Sequence, residues 1–165
     1  MTTAQQLPQV DILVQAGKWP PLEEVQKIVL RAISATVTVA ELRYQDEAEL
    51  SVVMSDDCHV RELNRQWRNI DKATNVLSFP AQEVSPAGIA GMLLGDIVLA
   101  NETVNREAQE QGKKFEDHLS HLVIHGFLHI FGYDHINDQE AEIMEDLERR
   151  TLLRLGIANP YEGPL

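Results

Sequence analysis

Residues 125–135 read HGFLHIFGYDH, which places His125, His129 and His135 in the pattern H-x-x-x-H-x-x-G-x-x-H. Two residues four apart on an α-helix point in nearly the same direction. The spacing therefore predicts a helix that carries the first two histidines on one face. Gly132 can adopt the positive φ that ends a helix and reverses the chain. Such a turn would bring the third imidazole back towards the other two.

Three converging imidazoles, with no fourth protein ligand nearby in sequence, are typical of a catalytic metal site that keeps an open position. Zinc is the commonest ion in a three-histidine tetrahedral site, so we predict Zn²⁺, one ion per chain, bound by His125, His129 and His135. Nickel, copper and iron suit the same ligands, and the sequence leaves them open. The stretch thus indicates a metal-dependent enzyme, and most simply a hydrolase.

Zinc proteases with the pattern H-E-x-x-H-x-x-G-x-x-H share this histidine spacing, and the comparison shows what is missing here. Their glutamate follows the first histidine and serves as the general base. Gly126 occupies that position in this chain and can neither accept a proton nor orient a water molecule. Peptide hydrolysis is therefore a minor alternative.

The length and composition are those of an ordinary globular domain. The chain has 165 residues, of which 44% are hydrophobic and 24% charged, so we predict a single domain spanning residues 1–165. A single cysteine, Cys58, excludes an intrachain disulfide and argues against a cysteine-based metal site. The sequence shows neither a signal-peptide pattern nor an apolar run of membrane-spanning length. We therefore expect a cytoplasmic protein with no membrane partner.

The charge is unevenly distributed along the chain. A net charge of −12 argues against non-specific binding of nucleic acid through the whole surface. The acidic excess concentrates at residues 23–24, 46–49 and 140–148. Segment 61–72 runs the other way, and a polyanionic substrate would have to bind at its cations, Arg61, Arg65, Arg68 and Lys72.

Short strand patterns and amphipathic helix patterns alternate along the chain. Strands are predicted at residues 10–15, 49–54, 74–80 and 93–99. Helices are predicted at residues 20 to about 34, 55 or 56 to about 67, 101–112, 115–131, and 137 or 138 to 156. The expected class is α+β: a small mixed sheet of about four strands packed on about five helices, with the metal site at the end of a central helix.

A second group of motifs accompanies the histidines. Residues 63–80 read LNRQWRNIDKATNVLSFP and join a helix to a strand, and residues 94–97 read LGDI. With the histidine stretch, these motifs resemble the YbeY family of bacterial metal-dependent endoribonucleases from about Leu50 to about Leu155. The resemblance implies that the family's metal ligands correspond to the three histidines, and its functional arginine to Arg68.

The resemblance also implies a function. It implies cleavage of single-stranded RNA, with roles in ribosomal RNA maturation and ribosome quality control, and no DNA partner. The acidic surface leaves ribosomal proteins or other ribosome-assembly factors open as partners. Metal-assisted phosphodiester cleavage needs a Lewis acid and a cation at the phosphate, and Arg68 suits the second role. The sequence does not choose between a metal-activated water and the RNA 2′-OH as nucleophile.

Several neighbouring side chains carry weaker expectations. His118 and His121 precede the first ligand by two and one helical turns, and we expect core or surface histidines rather than supports for the ligands. For Asp134, a hydrogen bond to a ligand imidazole and capping of the turn are equally open. Trp67 and Phe79 are expected in the core rather than as base-stacking platforms, because aromatic residues make up only 5% of the chain.

Two other functions stay open on the sequence. The same histidines would serve a metallohydrolase that acts on a peptide or small ester. Alternatively, the metal would be structural in a non-catalytic ribosome-assembly factor, where it would contribute folding free energy instead of chemistry. Arg68 would then be an ordinary solvated arginine at a helix end.

Overall fold

The main sheet is built from short strands rich in β-branched residues, along which more buried and less buried positions alternate. The computed structural model describes residues 6–86 and 88–158. Within them the strands are β1 (Gln9–Val14), β2 (Arg43–Tyr44), β3 (Glu49–Ser55), β4 (Val76–Pro80), β5 (Ile89–Ala90) and β6 (Leu93–Ala100). The main sheet has the order β1-β3-β6-β4, in which the first three strands are parallel and β4 is antiparallel to β6. This mixed four-stranded sheet confirms the predicted one.

In the described part of the chain, five helices surround the sheet: α1 (Leu22–Val39), α2 (Asp57–Arg68), α3 (Asn101–Glu110), α4 (Phe115–Ile130) and α5 (Asp138–Arg154). The α+β class predicted from the sequence is confirmed. Among the described residues, no helix combines the length and the apolar character needed to cross a lipid bilayer.

Helix α4, which carries the first two histidines, lies at the centre of the packing. It contacts α1, α3 and α5 as well as β4. Phe127, Leu128 and Ile130, in its last turns, are at most 1% exposed. Because a buried apolar surface of this extent is costly to expose, the core holds the end of α4 in a fixed position.

Two features of the fold differ from the sequence prediction. Helix α1 continues to Val39, beyond the predicted end at about residue 34, because Ala35, Thr36 and Val37 are buried against the rest of the core. The predicted helix at residues 101–112 begins with Asn101, a residue type that favours helix N-caps, but its side chain bonds instead to the backbone of Lys18, with Nδ2 donating to the carbonyl at 3.0 Å. Tertiary contacts override the local preference at both positions.

Candidate metal centre

Three imidazole rings meet at the carboxyl end of α4. One ring nitrogen from each of His125, His129 and His135 lies within 4.8 Å of the other two. The Nε2 atoms of His125 and His129 face one another at 3.0 Å. Within residues 6–86 and 88–158, no carboxylate or thiol joins this group. The three nitrogens therefore fit a borderline divalent ion and would leave it an open coordination position.

The turn after α4 brings the third imidazole to the site. Gly132 has a φ of 91°, as the sequence predicted. Its N–H donates to the carbonyl of His129 at 3.0 Å, and the N–H of Tyr133 donates to the carbonyl of Leu128 at 3.1 Å. These paired bonds satisfy the last carbonyls of the helix, as expected when a helix ends at a left-handed glycine. The chain is thereby reversed just before the third histidine.

Asp134 takes the second of the two roles left open for it. Its Oδ1 accepts a hydrogen bond from the backbone N–H of His135 at 2.8 Å, which caps the turn. The same oxygen lies 4.0 Å from Nδ1 of His129, a separation too long for a hydrogen bond. Asp134 therefore fixes the backbone of His135 and acts on His129 through its charge alone.

The environment of His129 favours the form of histidine that binds metals. Burial lowers the pKa of His129 to about 4, with the neighbouring His125 acting in the same direction and Asp134 opposing it. Since only a neutral imidazole has a nitrogen lone pair to donate to a metal, the ring is in its ligating form near neutral pH.

A buried carboxylate lies behind the histidines. Glu148 of α5 is only 1% exposed, and its Oε1 is 3.1 Å from Nδ1 of His125 and 2.7 Å from Nε2 of His121. Burial would raise the pKa of Glu148, but the hydrogen bonds from the two histidines outweigh it and lower the pKa to about 2. From the sequence, Glu148 was noted only as part of the acidic stretch 140–148, and its burial was not predicted. A usable signal was its position four residues from both Met144 and Leu152, on the apolar face of the helix.

The two earlier histidines of α4 have different surroundings. His118 is 3% exposed, and its Nε2 lies 2.9 Å from Oε1 of Glu107, so it is a core histidine as expected. His121 shares the carboxylate of Glu148 with His125. Through this carboxylate His121 is connected to one of the three candidate metal ligands.

Arg68 lies in the same cleft as the three histidines. A cavity of about 560 Å³ extends over His125, His129 and His135 and reaches Arg68 at the end of α2. The guanidinium Nη2 donates to the carbonyl of Ser78 at 3.1 Å, and its carbon lies 5.9 Å from the centre of the Phe79 ring. Strand β4 thus orients the arginine towards the cleft.

The remaining cations of the predicted basic segment are arranged differently. Arg61 pairs with Asp71 at 2.8 Å, and Arg65 pairs with Glu62, so nearby carboxylates offset both charges. Trp67 is 64% exposed, and its predicted burial is wrong. It lies in the last turn of α2, three residues beyond Asn64, the last buried residue of that helix.

The close packing around residue 126 explains why this position holds glycine and not the glutamate of the zinc proteases. A Cβ on Gly126 would lie 3.0 Å from Oγ of Ser78 and 3.1 Å from Cγ2 of Ile97. The Ser78 hydroxyl also donates to the carbonyl of Gly126 at 2.9 Å. Because α4 crosses the sheet at this point, the position faces β4 and β6 and has no room for a carboxylate.

An α+β domain with three histidines at the end of its central helix, and an arginine in the same cleft, has the features of a metallohydrolase. The chain belongs to the YbeY family, since the family's sequence model, described as endoribonuclease YbeY, matches residues 14–156. This confirms the resemblance seen in the motifs.

Close relatives and a solved structure agree with this assignment. A protein of Sinorhizobium fredii named endoribonuclease YbeY is 52% identical over 157 residues, covering 92% of this chain and 91% of the relative. One of Rhizobium meliloti with the same name is 51% identical over 160 residues, covering 92% and 94%. The solution structure of a Thermotoga maritima protein, at 23% identity, matches 90% of this chain and 92% of its own with a TM-score of 0.56, and thus shares the fold.

Proposed function

We propose that this protein is a metal-dependent endoribonuclease that cleaves single-stranded RNA. Zn²⁺, one per chain, would be held by His125, His129 and His135, and Arg68 would stabilise charge on the phosphate. The observation that carries the proposal is the shared cleft, in which a cation suited to phosphate lies beside three convergent metal ligands. Membership of a family whose relatives are named endoribonucleases supports it.

The arginine is well placed for binding a phosphate. A guanidinium has five N–H donors in a planar fork that matches phosphate oxygens. The bond from Nη2 to Ser78 and the neighbouring Phe79 ring restrict the side chain to one side of the cleft. Less conformational entropy is then lost when a phosphate binds. The metal, when bound, would supply a Lewis acid for the phosphate and its nucleophile.

The biological setting of the proposal comes from the family resemblance. We propose ribosomal RNA as the substrate, in the cytoplasm, with residues 1–165 acting as one domain. A net charge of −12 supports binding confined to the cleft, because the rest of the surface repels polyanions. The acidic surface leaves ribosomal proteins and assembly factors as further proposed partners.

Replacement of Arg68 by alanine tests the proposal. We expect Arg68→Ala to lower the rate of RNA cleavage about 100- to 1,000-fold, the usual effect of removing one donor from a developing oxyanion. The metal content should stay that of the wild type, since Arg68 contacts Ser78 and Phe79, not the histidines. Purified proteins would be compared by elemental analysis and by cleavage of single-stranded ribosomal RNA fragments.

The control is Arg61→Ala, which removes an arginine of the same helix that pairs with Asp71. It should cleave RNA at close to the wild-type rate. If Arg68→Ala cleaved equally well, the role of Arg68 would be wrong. If the wild type bound metal and cut no RNA, the structural-metal alternative would be favoured, and peptidase turnover sensitive to a chelator would favour a different metallohydrolase.

A further inference from the structure

We propose that Glu148 is a positioning residue of the metal centre, whose carboxylate fixes the proton of His125 on Nδ1 and leaves Nε2 for the metal. The inference rests on the metal site of the proposed function, but not on its RNA substrate. It is carried by the contacts of one buried carboxylate that joins α5 to the ligand helix.

The two nitrogens of His125 face different groups. Nδ1 is 3.1 Å from Oε1 of Glu148, whereas Nε2 is 3.0 Å from Nε2 of His129. A neutral imidazole has one N–H and one lone pair, so the partner of the first nitrogen decides the role of the second. A carboxylate accepts hydrogen bonds, and it therefore selects the tautomer with the proton on Nδ1. The lone pair of Nε2 then points to where the other ligands converge.

The buried environment of Glu148 supports a specific role for its carboxylate. Glu148 is 1% exposed, on a helix face whose other buried members include Met144, Leu147 and Leu152. A buried charge is destabilising unless hydrogen-bonded partners compensate for it. Here two histidines of α4 contact the carboxylate, so the fold brings a charge into its core where it meets a candidate metal ligand.

His121 fixes the carboxylate in position. Its Nε2 is 2.7 Å from the same Oε1 that contacts His125. Because the two histidines are four residues apart, they hold that oxygen from adjacent turns of one helix face. The orientation of His125 thereby depends on the docking of α5 against α4. Partners of this kind that orient a ligand change metal affinity about 10- to 100-fold when they are mutated.

Glu148→Gln tests the proposal in the absence of RNA. Glutamine keeps the shape of the side chain but replaces the charged acceptor that faces Nδ1 of His125 by a neutral amide, which accepts a hydrogen bond more weakly and can also present an N–H. We expect its affinity for Zn²⁺, measured by competition with a chromophoric chelator, to fall about 10- to 100-fold. The matched control is Glu142→Gln, which removes the same charge from an exposed position of α5 and should bind Zn²⁺ as the wild type does. Circular dichroism of both variants without metal would show that the fold is retained.

A second measurement uses the wild type alone, so it stands even where Glu148→Gln does not fold. Nitrogen-15 NMR of the imidazoles should show His125 protonated on Nδ1, a signature that a merely structural role for Glu148 would not require. The proposal is overturned by a proton on Nε2, or by a Glu148→Gln variant that binds Zn²⁺ as tightly as the wild type. Wild-type protein that binds Zn²⁺ but cuts no RNA would refute the proposed function and leave the role of Glu148 intact.

Discussion

His129→Ala is expected to remove the metal and to lower RNA cleavage about 1,000-fold or more. His129 supplies one of three convergent nitrogens, and its Nε2 lies 3.0 Å from that of His125. Without it, two imidazoles remain, too few to hold a zinc ion firmly. Loss of a Lewis acid removes several kcal/mol of transition-state stabilisation, and each 1.4 kcal/mol corresponds to about tenfold in rate. Elemental analysis and cleavage of single-stranded RNA would be measured on the same preparation.

The same variant separates a catalytic metal from a structural one. Helix α4 is held by buried neighbours such as Phe127 and Leu128, so its fold should survive removal of an imidazole that lies at the edge of the cleft. We expect the thermal midpoint to change little. The control is His59→Ala, at an exposed histidine of α2 that pairs with Asp56. If His129→Ala kept its activity without metal, the metal would not be catalytic. If the variant unfolded once the metal was lost, the metal would have a structural role.

The geometry of the histidine stretch could be predicted from the sequence because it depends on local features. The spacing of His125 and His129 follows from the geometry of one helix, and the reversal at Gly132 follows from the conformational freedom of one residue. The structure places both as predicted, with a φ of 91° at the glycine. The family motifs added Arg68, whose position in the cleft depends on the packing of α2 against the sheet and on its bond to Ser78, and could not be derived from spacing.

What the sequence missed depends on contacts between distant segments. Glu148 is 23 residues from His125, and no local pattern states which face of α5 meets α4. Strands β2 and β5 have two residues each, too few for an alternating pattern to be recognised. Trp67 was assigned to the core on composition alone, although an aromatic residue within an arginine-rich segment is as easily exposed.

Gly132→Ala is expected to destabilise the protein by about 2–5 kcal/mol and to weaken metal binding. A Cβ at this position would lie 1.9 Å from the carbonyl oxygen of Val84, so the backbone of that segment must move. Overpacking of this kind costs about 1–3 kcal/mol, and a side chain in the left-handed region adds about 1–2 kcal/mol. Thermal unfolding should show a midpoint lower by roughly 5–20 °C for a chain of this size. His135 follows the turn, so its displacement should also lower the affinity for Zn²⁺.

The chain contains its own control for the steric part of this effect. Gly112 also has a positive φ, of 64°, but a Cβ there would meet nothing within 4 Å. Gly112→Ala should therefore carry only the conformational cost of about 1–2 kcal/mol and leave metal binding unchanged. The difference between the two variants measures how tightly Val84 packs on the turn. Equal stabilities of the two variants would mean that the turn at Gly132 can move away from Val84. Contact with Val84 would then not be what holds His135 beside the other two histidines.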